Sequence, residues 1–331
     1  MRRIGFALAS ILPIRELMEL SAEAERLGYE SVWLTEAQGK DVFTPLAAIA
    51  TVTRRIKLGP GVSPIFIRTP TLMAMTVTAL DELSQGRAAL GLGTGARAGV
   101  ERAHGVPFDH PLGRMREYVA IVRGVLTQEG FSYEGRYYHV RNVRREVTPV
   151  RAKVPIYLAA LGLRMAELAG EVADGVLLNI TTPGYARQAV EAVHRGARRA
   201  GRAPGEVDIG CFISTSVADD RAAARESARR RIARFAANPF YGAMFRAAGF
   251  ADEVEGVARA AATGERQAVY GEVSDAMVDA VAAYGTPEEC RAKVREFVEA
   301  GVTLPLIQAN NVARDRNAAL WTTVRAMAPV K

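Results

Sequence analysis

The chain has 331 residues, 49% of them hydrophobic, and its 43 lysines and arginines outweigh 36 acidic residues for a formal charge of +7. That length suits two average domains or one large α/β barrel, and no apolar run is long enough to cross a membrane. The surplus is arginine spread along the whole chain, with lysine only at Lys40, Lys57, Lys153, Lys293 and Lys331, a compositional habit rather than a nucleic-acid footprint.

The opening MRRIGFALAS superficially suggests a signal peptide. Its apolar stretch is short, lacks a small-residue cleavage site and runs into an amphipathic helix, so Ile4–Ala9 is read as the first strand of a cytoplasmic protein. Ile14, Leu17, Leu20, Ala24 and Leu27 make one apolar stripe, and Gly28 stops that helix. Further strands are expected at Ser31–Thr35, Ile56–Val62, Ala88–Gly93, Pro155–Ala160, Gly175–Ile180, Val207–Val217 and Leu304–Ala309. Nearly all are continuous apolar runs, as parallel strands buried on both faces require. Helical patterns separate them. Thr44-Pro45, Thr69-Pro70, Thr182-Pro183 and Thr286-Pro287 each set a capping hydroxyl before a proline suited to the first helical position. Glu289 completes a capping box at the last of these.

Eight strands alternating with helices predict an α/β fold, a (β/α)8 TIM barrel running through residues 1–331. Two stretches break the rhythm. Residues 131–146, with FSYEGRYYHVRNV, read as a small hairpin insertion. Residues 219–283 are an Ala/Arg-rich helical insertion between strands seven and eight. Its cluster of Arg221, Arg225, Arg229, Arg230, Arg231 and Arg234 reads as a solvated helix face.

In such a barrel, ligands bind where strands end and βα loops begin. Those tips here are rich in glycine and small hydroxyls and poor in charge. This suits a flat, polar-edged cofactor and gives a hydrolase no nucleophile and base. Cys211 and Cys290 are far apart and read as reduced buried thiols; His104, His110, His139 and His194 lack ligand spacing, so no metal is expected. Glu36 is the acidic residue set directly at a strand tip. It is either a functional group that bonds cofactor, orients substrate or exchanges protons, or a capping carboxylate or salt-bridge partner. His104 and His110 are acid/base candidates or surface histidines, and Trp33 is a core residue. GLGTGARAG (Gly91–Gly99) invites a dinucleotide reading, but it follows the fourth strand rather than the first of a βαβ unit. Gly59-Pro60-Gly61-Val62-Ser63-Pro64 cannot continue as a regular strand, and a bulge is expected. The turn after Pro155–Ala160, with Gly162 opening a helix, is a ready anion site.

These segments resemble the bacterial luciferase-like superfamily of (β/α)8 oxidoreductases, in particular its deazaflavin-dependent branch typified by methylenetetrahydromethanopterin reductase. The resemblance covers nearly the whole chain and rests on AERLGYESVWLTE, TRRIKLGPGVSPIFIRTP, LSQGRAALGLGTG and AALG…LAGEVADGVLLN. It implies a non-prolyl cis peptide at Gly61-Val62 backing the cofactor ring. It also implies backbone contacts from Ala160, Leu161 and Gly162 near the cofactor phosphate, with Thr94 and Asn179 lining the pocket and Glu36 at the acidic position ending strand two. Two departures concern acid/base groups: Ala37 stands where related dehydrogenases have histidine, and Ala96 where the reductase has an acidic residue. The implied activity is hydride transfer between coenzyme F420 and an organic small molecule. The alternatives are an FMN-dependent monooxygenase with a separate reductase and a non-catalytic flavin- or deazaflavin-binding protein. A nicotinamide dehydrogenase on a doubly wound sheet is the remaining rival. A homodimer is implied, with helices of the second and third βα units as its contacts.

Overall fold

The computed structural model describes residues 3–36, 39–151, 153–310, 312 and 316–329. Its strands in chain order are β1 (Gly5–Ala9), β2 (Ser31–Thr35), β3 (Lys57–Pro60), β4 (Ser63–Pro64), β5 (Leu90–Gly93) and β6 (Gly130–Glu134). They continue with β7 (His139–Arg144), β8 (Ile156–Ala159), β9 (Gly175–Asn179), β10 (Asp208–Val217), β11 (Ala283–Gly285) and β12 (Leu304–Ala309). The main sheet runs β3-β2-β1-β12-β10-β9-β8-β5-β4, all parallel. It closes where Leu58 bridges Ala88, with the Ala89 amide donating to the Leu58 carbonyl at 2.9 Å. β3 and β4 are two halves of one barrel strand, parted at Gly61 and Val62. The ring therefore has the eight positions expected, and a doubly wound sheet is ruled out.

Each strand is apolar on both faces because each face meets a separate core. Outward residues such as Phe6, Leu8, Val32, Leu34 and Val176 pack under the helices. Inward, Ala7, Trp33, Ala89, Leu177, Phe212, Leu304 and Leu306 fill the barrel. Trp33 is 2% exposed, donates to Ser31 Oγ at 2.9 Å and meets the Tyr157 ring edge-on at 5.1 Å. Closure depends on missing side chains. A Cβ on Gly59 would lie 2.1 Å from the Ala89 carbonyl oxygen, and one on Gly91 2.0 Å from that of Pro60. Larger residues there would force the third and fourth barrel positions apart.

The strand-entry end is tied by ions. Arg3 pairs with Glu30 at 2.8 Å and with Asp208 at 2.8 Å, joining the segments that lead into β1, β2 and β10. Thr69, Thr182 and Thr286 cap their helices as expected, each hydroxyl accepting a backbone amide, and Glu289 completes its box. Thr44 does not. That helix begins at Phe43, and Asp41 Oδ1 accepts from the amides of Phe43 and Thr44, both at 2.9 Å. The carboxylate sits one turn earlier than the Thr-Pro pair and reaches the same orphan amides first.

β6 and β7 form an antiparallel hairpin, and residues between β10 and β11 fold into five helices, with a sixth, Pro287–Glu299, leading from β11 to β12. β11 is a strand that the helical pattern hid. It is three residues long and pairs with the far end of β10, which outruns the other barrel strands. Both cysteines are buried thiols.

Candidate active site

Among the described residues, two cavities lie directly over the exit ends of the barrel strands. The first, of about 380 Å³, lies over β4, β5, β8 and β9. Gly61, Val62, Thr94, Leu161, Gly162 and Asn179 all line it, so six of the seven residues expected to hold a cofactor converge there. The seventh does not. Ala160 is 3% exposed, packs in the outer core, and spends its amide on the Leu177 carbonyl at 3.0 Å. Side chains alternate along an extended segment, so the preceding residue, Ala159, faces the cavity instead.

The Gly61–Val62 peptide is cis. It places the Val62 side chain over the barrel plug, where a Cβ on Gly93 would lie 2.4 Å from Val62 Cγ2. Glycine at the end of β5 thus keeps this wall low. Opposite, Gly162 opens the helix Leu163–Val172, and no side chain caps that terminus. Its first amides therefore point outward with the positive end of the helix dipole. A Cβ on Gly162 would meet nothing within 4 Å, and Arg164, exposed in the first turn, also lines the cavity. The sequence reading marked the glycine and missed this arginine, whose position two residues inside an uncapped helix was its signal.

The roof comes from the insertion. Asn238, Phe240 and Tyr241 line the cavity from the helix Pro239–Ala247 and its cap. Phe108 adds an aromatic wall and stacks on Phe66 at 4.7 Å between ring centres. The Tyr241 oxygen accepts from Asn179 Nδ2, and burial pushes the Tyr241 phenol up to about 12. Asn179 Oδ1 is buried without a partner among the described residues. An orphaned acceptor beside a mostly apolar, aromatic-walled slot calls for a ligand N–H or O–H.

Glu36 lies apart from this lining. Its carboxylate takes both arms of Arg68, at 2.7 and 2.9 Å, and the Ser63 hydroxyl at 2.7 Å. Arg68 and Ser63 both belong to the quoted strand-three motif, but no spacing rule joins them to a carboxylate 27 and 32 positions earlier. Ala37 falls outside the described residues. His104 is exposed at the end of its helix, and His110 precedes the next helix without capping it, its ring 5.3 Å from that of Tyr137; neither lines the cavity. Among the described residues no group of three or more His, Cys, Asp or Glu side chains could hold a metal ion.

A closed parallel barrel with a cavity over its strand ends has the architecture of an α/β-barrel enzyme, whose ligands bind at that face. The chain belongs to the luciferase-like monooxygenase family, which it matches over residues 2–304. It is 34% identical over 293 residues to 5,10-methylenetetrahydromethanopterin reductase of Methanolobus tindarius, covering 88% of this chain and 89% of that one. A putative coenzyme F420-dependent oxidoreductase of Mycobacterium tuberculosis is 31% identical over 327 residues, with 93% and 94% covered. Among solved structures, the coenzyme F420-dependent tetrahydromethanopterin reductase from Methanopyrus kandleri superposes with a TM-score of 0.88 at 26% identity, covering 98% and 97%.

Proposed function

We propose that this protein is an oxidoreductase that uses coenzyme F420 to move a hydride to or from an organic small molecule. The observation that carries this reading is the first cavity: a slot floored at the cis Gly61–Val62 step, facing open helix amides at Gly162. The names of its relatives agree with it. A deazaflavin supplies a ring carbon that accepts or donates a hydride. The residues present fit it. Val62 and Phe212 give the ring an apolar floor, and Asn179 Oδ1 is an acceptor for a ring N–H. The amides at Gly162, with Arg164, suit a phosphate. Phe108, Phe240 and Tyr241 exclude water from the reacting face and fix its orientation, which supplies proximity rather than acid/base chemistry.

Glu36 acts here by orienting its neighbours. Both carboxylate oxygens are engaged, and through Arg68 and Ser63 they pin the start of the segment that follows the cis peptide. Any proton relay from Glu36 requires that network to open.

Titration of the purified protein with coenzyme F420 and separately with FMN, followed by absorbance, tests the reading. Saturable F420 binding that weakens about tenfold in Asn179→Leu, the loss of one buried hydrogen bond, is expected. Tight FMN binding with no F420 binding overturns it in favour of a flavin monooxygenase. F420 binding without turnover across a substrate screen points to a silent binding protein.

A further inference from the structure

The second cavity, of about 460 Å³, opens on the same strand-exit face but over β1, β2 and β12. Its outer wall is the helix Arg221–Ala236, the stretch whose arginines read as a solvated face. The structure divides those arginines into two stripes. Arg221, Arg225 and Arg229, spaced by four, are neutralised across the fold by Glu289 and Asp275. Arg230, Arg231 and Arg234 turn to the cavity. Arg230 shares Glu226 with Arg229, and Arg234 has no acidic partner among the described residues.

No carboxylate is found among the described residues that line this cavity. Its floor instead holds two amides at the end of β12. Gln308 is 9% exposed and Asn310 4%, and Asn310 Nδ2 donates to Ser214 Oγ and Ser216 Oγ, both at 2.8 Å. The acceptors of both side chains, Gln308 Oε1 and Asn310 Oδ1, are buried without partners among the described residues. Two orphaned acceptors below a guanidinium wall have a definite chemical complement. It is a molecule with an anionic end and, at its inner end, N–H or O–H donors.

We propose that this cavity is the substrate subsite, and that the substrate class is an anion, a carboxylate or phosphate ester, with donor groups that reach Gln308 and Asn310. The proposal rests on the assignment of the first cavity to the cofactor. The two cavities occupy different strands of one rim, so a ligand in the second reaches toward the barrel axis from the side opposite the helix at Gly162. Guanidinium groups suit planar, bidentate recognition of such anions. The cofactor's own anionic tail offers the same chemistry, and the test must separate the two sources.

Inorganic phosphate serves as the probe, titrated calorimetrically into protein loaded with F420, so that the helix terminus at Gly162 is filled. The variants are Arg234→Gln, the double variant Arg230→Gln/Arg234→Gln, and Arg221→Gln on the neutralised stripe as control. Phosphate binding should weaken about tenfold in Arg234→Gln and further in the double variant, with Arg221→Gln and all F420 affinities unchanged. Absent phosphate binding, or binding indifferent to Arg234, overturns the proposal. So does weaker F420 binding in Arg234→Gln, which would give the arginines to the cofactor tail. Should the wild-type protein fail to take F420, the cofactor reading fails separately. Phosphate titration of the unloaded protein, comparing Arg164→Gln with Arg234→Gln, still reads the second cavity.

Discussion

At the scale of single residues, the Glu36–Arg68 pair sets the carboxylate at the tip of β2 against a guanidinium and a hydroxyl that engage both its oxygens. Its two side chains are 8% and 15% exposed, so neither charge can be released to water cheaply. Glu36→Ala leaves a largely buried guanidinium and the Ser63 hydroxyl without their acceptor. The expected loss is about 2–4 kcal/mol in urea unfolding, and Glu36→Ala/Arg68→Met should recover part of it. An unchanged midpoint for Glu36→Ala would show that the pair contributes little. The acidic position at the tip of β2 was legible from the sequence because a strand ends there. Its partner was not, since it arrives from the loop that follows the cis peptide.

At the scale of elements, the hairpin of β6 and β7 is held by a residue outside it. Glu117, on the helix Pro111–Thr127, is 9% exposed and accepts from the amides of Arg136, Tyr137 and Tyr138 at 2.8, 2.9 and 3.0 Å. Gly135 leaves room for this contact, because a Cβ there would lie 2.4 Å from Glu117 Oε2 and displace the carboxylate. Glu117→Ala should cost about 2 kcal/mol and speed hydrogen exchange across residues 130–144. If exchange in that segment stays as slow as in the parent, the carboxylate is not its anchor. The same helix begins with Pro111 and Leu112 in the wall of the first cavity, so its N-terminal end is the link from hairpin to site. The alternating aromatics announced the hairpin, whereas nothing local announced Glu117.

At the scale of the whole molecule, the strand-entry end carries stability and the strand-exit end carries chemistry. Burial, the largest influence, would raise Asp208 and Glu30, but Arg3 together with Thr303 and Tyr157 at Asp208, and with Lys57 at Glu30, outweighs it, and both carboxylates are held below the usual carboxylate range. A depressed folded-state value gives stability that is present above the unfolded value and is lost as pH falls through the folded one. The melting temperature should therefore hold near neutral pH and drop below about pH 4, with a shallower drop in Arg3→Met. An Arg3→Met profile parallel to the parent would remove this network from the account. On the outer surface, Leu72 is 49% exposed, Met75 62% and Leu83 47% on the helix Pro70–Leu83, with Val52 42% on the helix before it. We propose that this apolar face joins two copies of the chain. Sedimentation should show a dimer that Met75→Glu/Leu72→Glu converts to monomer. A monomeric parent would refute it.

What the sequence determined by itself was everything set by local periodicity: eight buried strands, the helices between them, three of the four Thr-Pro caps, the hairpin, and the glycine-rich tips where a cofactor would lie. Those signals are short in range, because burial on both faces and capping hydroxyls act within a few residues. Tertiary structure decided what depends on contacts across the ring. It moved one helix cap from Thr44 to Asp41, turned Ala160 into the core, hid β11 at the end of a long β10, and paired Glu36 with Arg68. It also split one arginine-rich helix into a neutralised stripe and a cavity wall. Charge partners and cavity faces are set by which strands the barrel brings side by side, and no local pattern encodes that.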